Sequence, residues 1–321
     1  MKKLATFLVT LLTLTLVLVG CGAQSTPTKD TGASAPVVKK IKVGLSQNTL
    51  NNPFFVAVKE GAQAQAKAAG IDLVLTDAQN NPATQLSDIE NLIQQKPDIL
   101  IIDPCDSDAV VEGIKKANDA KIPVFTIDRE ANGGSVLTHI GFNAILSGNI
   151  AGEALAKALN GKGKVVEIQG IMGTNVAQDR SKGFNQAIAK YPDIKIVAQQ
   201  TANFDRGQAL NVMENLLQAN PTIDGVYAAN DEMAMGALAA LEAAGKAGKV
   251  KLIGCDAIDP ALAAIKADKM AGTIAEPPFF LGKAALQTAE KIAKGEKVEQ
   301  KVILDSTLVT KDNVTTVKTR D

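Results

Sequence analysis

Residues 41–76 read IKVGLSQNTLNNPFFVAVKEGAQAQAKAAGIDLVLT, and their pattern decides the fold. Compact apolar runs at 41–45 and 72–76 lack the in-out alternation of a half-exposed strand, as expected for parallel strands buried on both faces. Between them, Phe55, Val58, Ala62 and Ala66 recur every three or four residues, so one face of a helix over 54–69 is apolar, and Gly70 ends it. Asn52-Pro53 supplies the start: a capping side chain, then a proline whose missing N–H costs nothing in the first turn.

The same unit recurs along the chain. Runs at 99–103 and 123–127 read as further strands, and a helix over 84–95 carries Leu86, Ile89, Leu92 and Ile93 on one face. A second series follows, with strands at 164–169, 194–199, 225–229 and 251–255 and helices near 177–189, 207–219 and 232–244. Asp259-Pro260 reads as another capped helix start. Two successive sets predict an α/β protein of two doubly wound, Rossmann-like lobes with right-handed crossovers. About 280 residues lie beyond position 40, at the upper edge of what one core organises, which agrees with two lobes.

The first 40 residues are of another kind. Lys2 and Lys3 precede an apolar stretch over 4–19, and Gly20-Cys21 closes it. The run is too short for a membrane span and has the form of an export signal, expected over 1–20. A small residue followed by Cys resembles the bacterial lipoprotein box, which implies a diacylglycerol on Cys21 and a lipid anchor outside the cytoplasm. Residues 21–40, rich in Ser, Thr, Pro, Gly and Ala, read as a flexible tether. Once Lys2 and Lys3 leave with the signal, 32 of the 34 basic residues face 34 acidic ones. Such a surface has no electrostatic reason to seek nucleic acid.

Little here points to catalysis. Cys105 and Cys255 sit in or just after strand-like runs and read as buried thiols rather than a disulfide. His139 is the sole histidine, so it has neither the partners for a zinc site nor those for a nucleophilic triad. There is no phosphate-cradling loop and no nucleophile elbow, and neither an enzyme nor a cofactor is expected.

In open α/β sheets ligands collect beyond the carboxyl ends of the strands. The first-lobe loops there hold Asn48, Asn52, Phe54, Phe55, Asp103, Asp128 and Arg129, and the second-lobe loops hold Arg180, Phe204, Asn230, Asp256 and Glu276. Carboxylates accept from hydroxyls, arginine donates a planar fork, and aromatic faces cover the C–H side of a ring. This is equipment for a small polyhydroxylated ligand.

Asn51-Asn52-Pro53-Phe54-Phe55, Asp106-Ser107-Asp108-Ala109-Val110, Ile127-Asp128-Arg129, Phe204-Asp205-Arg206 and Asn230-Asp231-Glu232-Met233-Ala234 resemble, in order, segments of the ribose-binding proteins that serve sugar ABC transporters. The resemblance runs from about residue 41 to 309. It implies a periplasmic-binding-protein fold with a three-strand hinge near 142–144, 276–278 and 304–306, an N-terminal lobe of 41–142 plus 277–304, and a C-terminal lobe of 143–276 plus 305–321. It also implies a monomer that closes on a sugar, delivers it to an ABC permease, and contacts it through the twelve residues above. A sensor presenting ligand to a chemoreceptor or kinase is the alternative. A repressor with the same core needs a DNA-reading unit ahead of it, and residues 1–40 hold none.

Each contact has a plainer alternative. Asn52, Asn230 and Asp256 read also as helix caps, one of Phe54 and Phe55 as core, Asp128-Arg129 as a surface pair, Arg180 as an exposed helix residue, and Phe204 with Asp205 as the opening of a helix. Two positions depart from the family: Asp103 and Glu276 stand where ribose binders carry Asn and Gln. Each exchange loses an NH₂ donor and adds charge. Protonation, a ligand that brings its own donors, or side chains turned out of the pocket would each resolve it.

Overall fold

The structure, a computed structural model, describes residues 40–320. The expected export signal, Cys21 and all but the last residue of the tether lie outside the described residues. Among the described residues no helix is long and apolar enough to cross a membrane.

The first half runs β1 (Lys42–Gln47), α1 (Pro53–Ala69), β2 (Asp72–Asp77), α2 (Pro82–Gln94), β3 (Ile99–Ile102), α3 (Val110–Asp119), β4 (Val124–Ile127) and β5 (His139–Phe142). The second runs α4 (Ala144–Ala158), β6 (Lys162–Gln169), α5 (Asn175–Ile188), β7 (Asp193–Thr201), α6 (Arg206–Ala219), β8 (Gly225–Ala228), α7 (Asp231–Ala243), β9 (Lys251–Asp256), α8 (Asp259–Lys266) and β10 (Gly272–Ala275). Helix α9 (Pro278–Ala293) and strands β11 (Lys301–Leu304) and β12 (Thr307–Val309) follow. Two six-stranded sheets result, ordered β2-β1-β3-β4-β5-β11 and β7-β6-β8-β9-β10-β12. The first is parallel throughout, and in the second only β12 runs antiparallel, against β10. The strand order reverses beside β1 and β6, which puts a ligand crevice at the carboxyl ends of each sheet.

The chain passes between the sheets at Asn143, at Glu276-Pro277 and at Asp305-Ser306. Helix α4 follows a strand of the first sheet yet packs on α5, and α9 follows a strand of the second yet packs on α1. Both pairs close on reciprocal glycines. A Cβ on Gly61 would lie 2.0 Å from the Phe279 carbonyl oxygen, and one on Gly148 would lie 2.1 Å from that of Arg180. Gly282 and Gly183 make the converse contacts with the Val58 and Ile145 carbonyls. Only hydrogen in place of a side chain lets these backbones come so near.

Several expectations change. Strands β5 and β10 are four residues long, and α4 buries Ala, Gly and Ser with Leu155 as its one large apolar residue, so its period is faint. Helix α2 begins at Pro82 rather than residue 84, capped by Asn81 in a repeat of the Asn-Pro start of α1. Asp259 is not a cap. It is the first residue of α8; extended Ile258 precedes it and no side chain caps the helix, while the Ile258 N–H donates to Asp231. Cys105 and Cys255 are free and buried. His139 is buried on β5 with Nδ1 2.9 Å from Thr126 Oγ1, and burial pushes its pKa down to about 4.

Candidate functional site

Between the carboxyl ends of the sheets lies a narrow cavity lined by residues of both halves. Asn52 caps α1 by accepting from the Phe54 N–H at 2.9 Å, which throws Phe54 and Phe55 onto the first turn with rings edge to face, centroids 5.1 Å apart. Asp128 ends β4 in a left-handed conformation, φ 56°, and Arg129 follows it. The Arg129 guanidinium lies 5.4 Å from the Phe55 ring centroid and 5.5 Å from that of Phe204, a residue of the other half. Its Nη1 donates to the Pro104 carbonyl at 3.1 Å, and its buried Nε, 3.7 Å from Asp128, has no hydrogen-bond partner.

In the second half, Arg180 comes from the second turn of α5, with Nη1 donating to the Ala229 carbonyl at 2.7 Å and Nη2 reaching Asp256 at 3.4 Å and Glu276. Phe204 has φ 58°, and its ring covers Gly170, where a Cβ would meet it at 2.1 Å. Asn230 caps α7 by accepting from the Met233 N–H at 2.9 Å. Asp256 ends β9 with φ 120°, at the position in its sheet that Asp128 holds in the other.

Residues 43–297 match the periplasmic binding protein domain. The chain belongs to that family. It is 47% identical to the ribose import binding protein of Salmonella typhimurium over 278 residues, 87% of this chain and 93% of that one. The ribose import binding protein of Escherichia coli K12 is 46% identical over the same shares. Among solved structures, an ABC transporter periplasmic solute binding protein from Actinobacillus succinogenes with bound D-allose superposes with a TM-score of 0.83 at 35% identity, covering 87% of this chain and all of that one. Two α/β lobes with parallel sheets are the architecture of this family.

Asn52, Phe54, Phe55, Asp128, Arg129, Arg180, Phe204, Asn230 and Asp256 all line the cavity. Capping and lining coincide at Asn52 and Asn230, core and lining coincide at Phe54 and Phe55, and Asp128, Arg129 and Arg180 are buried rather than exposed. Asp205 caps α6 directly after Phe204, as the pair suggested, whereas Asp256 makes no cap bond to α8. Asn48, Asp103 and Glu276 do not reach the wall and lie buried behind it. The Asp103 Oδ2 accepts from Gln47 Nε2 at 2.7 Å, while its Oδ1 and the Asn48 amide nitrogen have no partner. Glu276 pairs with Arg180 and takes the hydroxyls of Ser147 and Ser306. Val176 joins the wall one turn before Arg180, an i, i+4 neighbour that the polarity of the loops did not flag.

The site holds two carboxyls per arginine in each half. Burial holds Asp103 well above the usual carboxylate range, with Asp128 adding to the rise and Arg129 opposing it. Burial likewise holds Asp256 well up against the pull of Arg180, and raises Asp128 against Arg129. A neutral carboxyl donates as an amide does, while an ionised one welcomes a ligand hydroxyl. Behind the wall Asp231 accepts from Thr273 Oγ1 at 2.7 Å and the Ile258 N–H at 3.1 Å, and burial lifts its pKa to about 7. Cys255, Asp256 and Glu276 bring three metal-type ligands together, but both carboxylates already face the fixed cation of Arg180.

Proposed function

We propose that this protein is the binding component of a sugar ABC importer and closes its two lobes over D-ribose or a related small neutral sugar. The observation that carries the reading is Arg129 held between Phe55 of one half and Phe204 of the other, with carboxylates of both halves on the same wall. The wall presents acceptors, two cationic donors and three aromatic rings, which suits hydroxyls on the edge of a ring and C–H groups on its face. The excess carboxyls favour a neutral ligand rich in O–H donors over an anion.

On this reading the nine lining residues contact the sugar, while Asn48, Asp103 and Glu276 support them from behind. The lobes comprise 41–142 plus 277–304 and 143–276 plus 305–321, and sugar held by both shifts the population toward the closed form that the permease reads. The protein works as a monomer, binds without turnover, and is held outside the membrane by a lipid on Cys21. Calorimetry over ribose, other pentoses, allose, polyols and amino sugars tests the ligand class. Heat from ribose or a near relative is expected, and a response confined to amine-bearing compounds overturns the reading. Turnover of nitrophenyl glycosides would contradict the absence of catalysis, and mass spectrometry of the mature N-terminus tests the lipid.

A further inference from the structure

Glu276 occupies one of the three places where the chain passes between the sheets, and its bonding reaches the other two. Its Oε1 accepts from Ser147 Oγ, in the first turn of α4 just past the Asn143 passage, and from Ser306 Oγ at 3.3 Å, in the passage from β11 to β12. The two hydroxyl oxygens are themselves 3.1 Å apart. Its Oε2 accepts from Arg180 Nη2, whose other contacts are the Ala229 carbonyl and Asp256 at the cavity wall. The carboxylate is 1% exposed, so water cannot replace a donor that is lost.

We propose that Glu276 is a positioning residue that makes the placement of Arg180 depend on the relative setting of all three inter-lobe passages. The inference rests on the sugar-binding reading of the cavity. Rotation of one lobe on the other moves Ser147, Ser306 and Glu276 relative to one another, because they lie on different passages. Any lost hydroxyl leaves a buried carboxylate oxygen short of a donor, and the strain falls on the ion pair that holds Arg180. In the other direction, a sugar that fixes Arg180 fixes Glu276 and with it the hinge. An amide cannot do the same work: its carbonyl accepts the hydroxyls, but its NH₂ faces the arginine as donor against donor.

The serines lie off the cavity wall, so they test the coupling without touching the ligand. In Ser147→Ala and Ser306→Ala, Kd for D-ribose rises about five- to tenfold by calorimetry, equivalent to about 1.0–1.4 kcal/mol. A fluorescence distance between labels on Lys67→Cys and Lys195→Cys moves toward the open value. Thr307→Ala, exposed beside the same passage, leaves both readings unchanged. In a Glu276→Gln background each serine change alters Kd less than twofold, because the charge it serves is gone. Wild-type Kd and label distances in both serine variants, or effects that simply add to that of Glu276→Gln, overturn the proposal. If wild type binds no sugar, it is the functional reading that fails, and the ligand-free label distances still decide the coupling: unchanged distances in the serine variants reject it.

Discussion

The two lobes bury the same ion in different ways. Arg129 is wrapped by the faces of Phe55 and Phe204, bonded to one carbonyl, and 3.7 Å from its nearest carboxylate. Arg180 is gripped by Asp256 and Glu276 and by the Ala229 carbonyl. Aromatic faces attract a cation without fixing its direction, whereas a carboxylate fixes both place and orientation. One arginine is therefore held by ring faces from both lobes, and the other by carboxylates at one strand end and at the passage between the sheets.

The largest expected effect separates the two directly. Arg180→Met leaves Asp256 and Glu276 without their cation and should cost about 3–5 kcal/mol of stability along with sugar binding. Arg129→Met removes a looser pair, so denaturant unfolding should show a clearly smaller loss while calorimetry still shows no binding. Equal losses of stability would erase the contrast.

The glycine pairs sharpen it at the level of packing. Gly61→Ala and Gly148→Ala place a Cβ against a carbonyl oxygen at nearly the same distance, and each should cost about 1–3 kcal/mol. Only Gly148→Ala presses on the backbone of Arg180 itself. Sugar affinity should therefore fall further in that variant than in its first-lobe counterpart.

The third difference is one of pH. Asp231 in the second half has its folded pKa raised from 3.8 to about 7, so the folded state binds the proton more tightly and this group's contribution to stability is lost as pH rises from about 4 to about 7. His139 in the first half has its folded pKa lowered from 6.5 to about 4, so its contribution is lost as pH falls through that window. Asp231→Asn should make the pH slope of stability less negative by up to about 1.4 kcal/mol per pH unit, and His139→Gln should move the slope the opposite way. Urea titrations at pH 4.5, 5.5 and 6.5 read both signs; slopes that shift in the same direction would show that the two groups are not opposed.

The smallest effect concerns the cover over Arg129. Phe204→Leu keeps apolar volume but loses the ring face, and Kd for sugar should rise about tenfold with melting nearly unchanged. Phe55→Leu carries a packing cost as well, because Phe55 belongs to the first-lobe core. Phe204 only borders the second-half core, so a drop in melting temperature for Phe204→Leu equal to that of Phe55→Leu would show that its packing outweighs its role as a cover.

Legibility followed the range of the forces. Asn52 could be read as a cap and as a site residue because both roles depend on neighbours within one turn. Asp128 and Asp256 stood out as charges ending apolar strands, and they hold equivalent topological positions with positive φ. Helix α4 was hidden because its buried face is built of Ala, Gly and Ser with a single Leu155, which periodicity hardly registers. Asp259-Pro260 misled because the cap pattern was present while the chain entered α8 one residue earlier, at Ile258.

Asp103 and Glu276 mark the boundary most clearly. From the sequence alone they were two charges too many in a pocket. In the fold, Asp103 is tucked against Gln47 with its pKa lifted by burial, and Glu276 meets two serines and an arginine. The sequence by itself determined the repeating strand-helix units that build both lobes and which strand ends carry polar groups, because those follow from periods of two to four residues and from caps. Only the tertiary structure decided which carboxylate meets which cation. Ser147 lies 129 residues from Glu276 and Arg180 lies 96 away, and no local pattern records a meeting that depends on how two sheets and three passages pack.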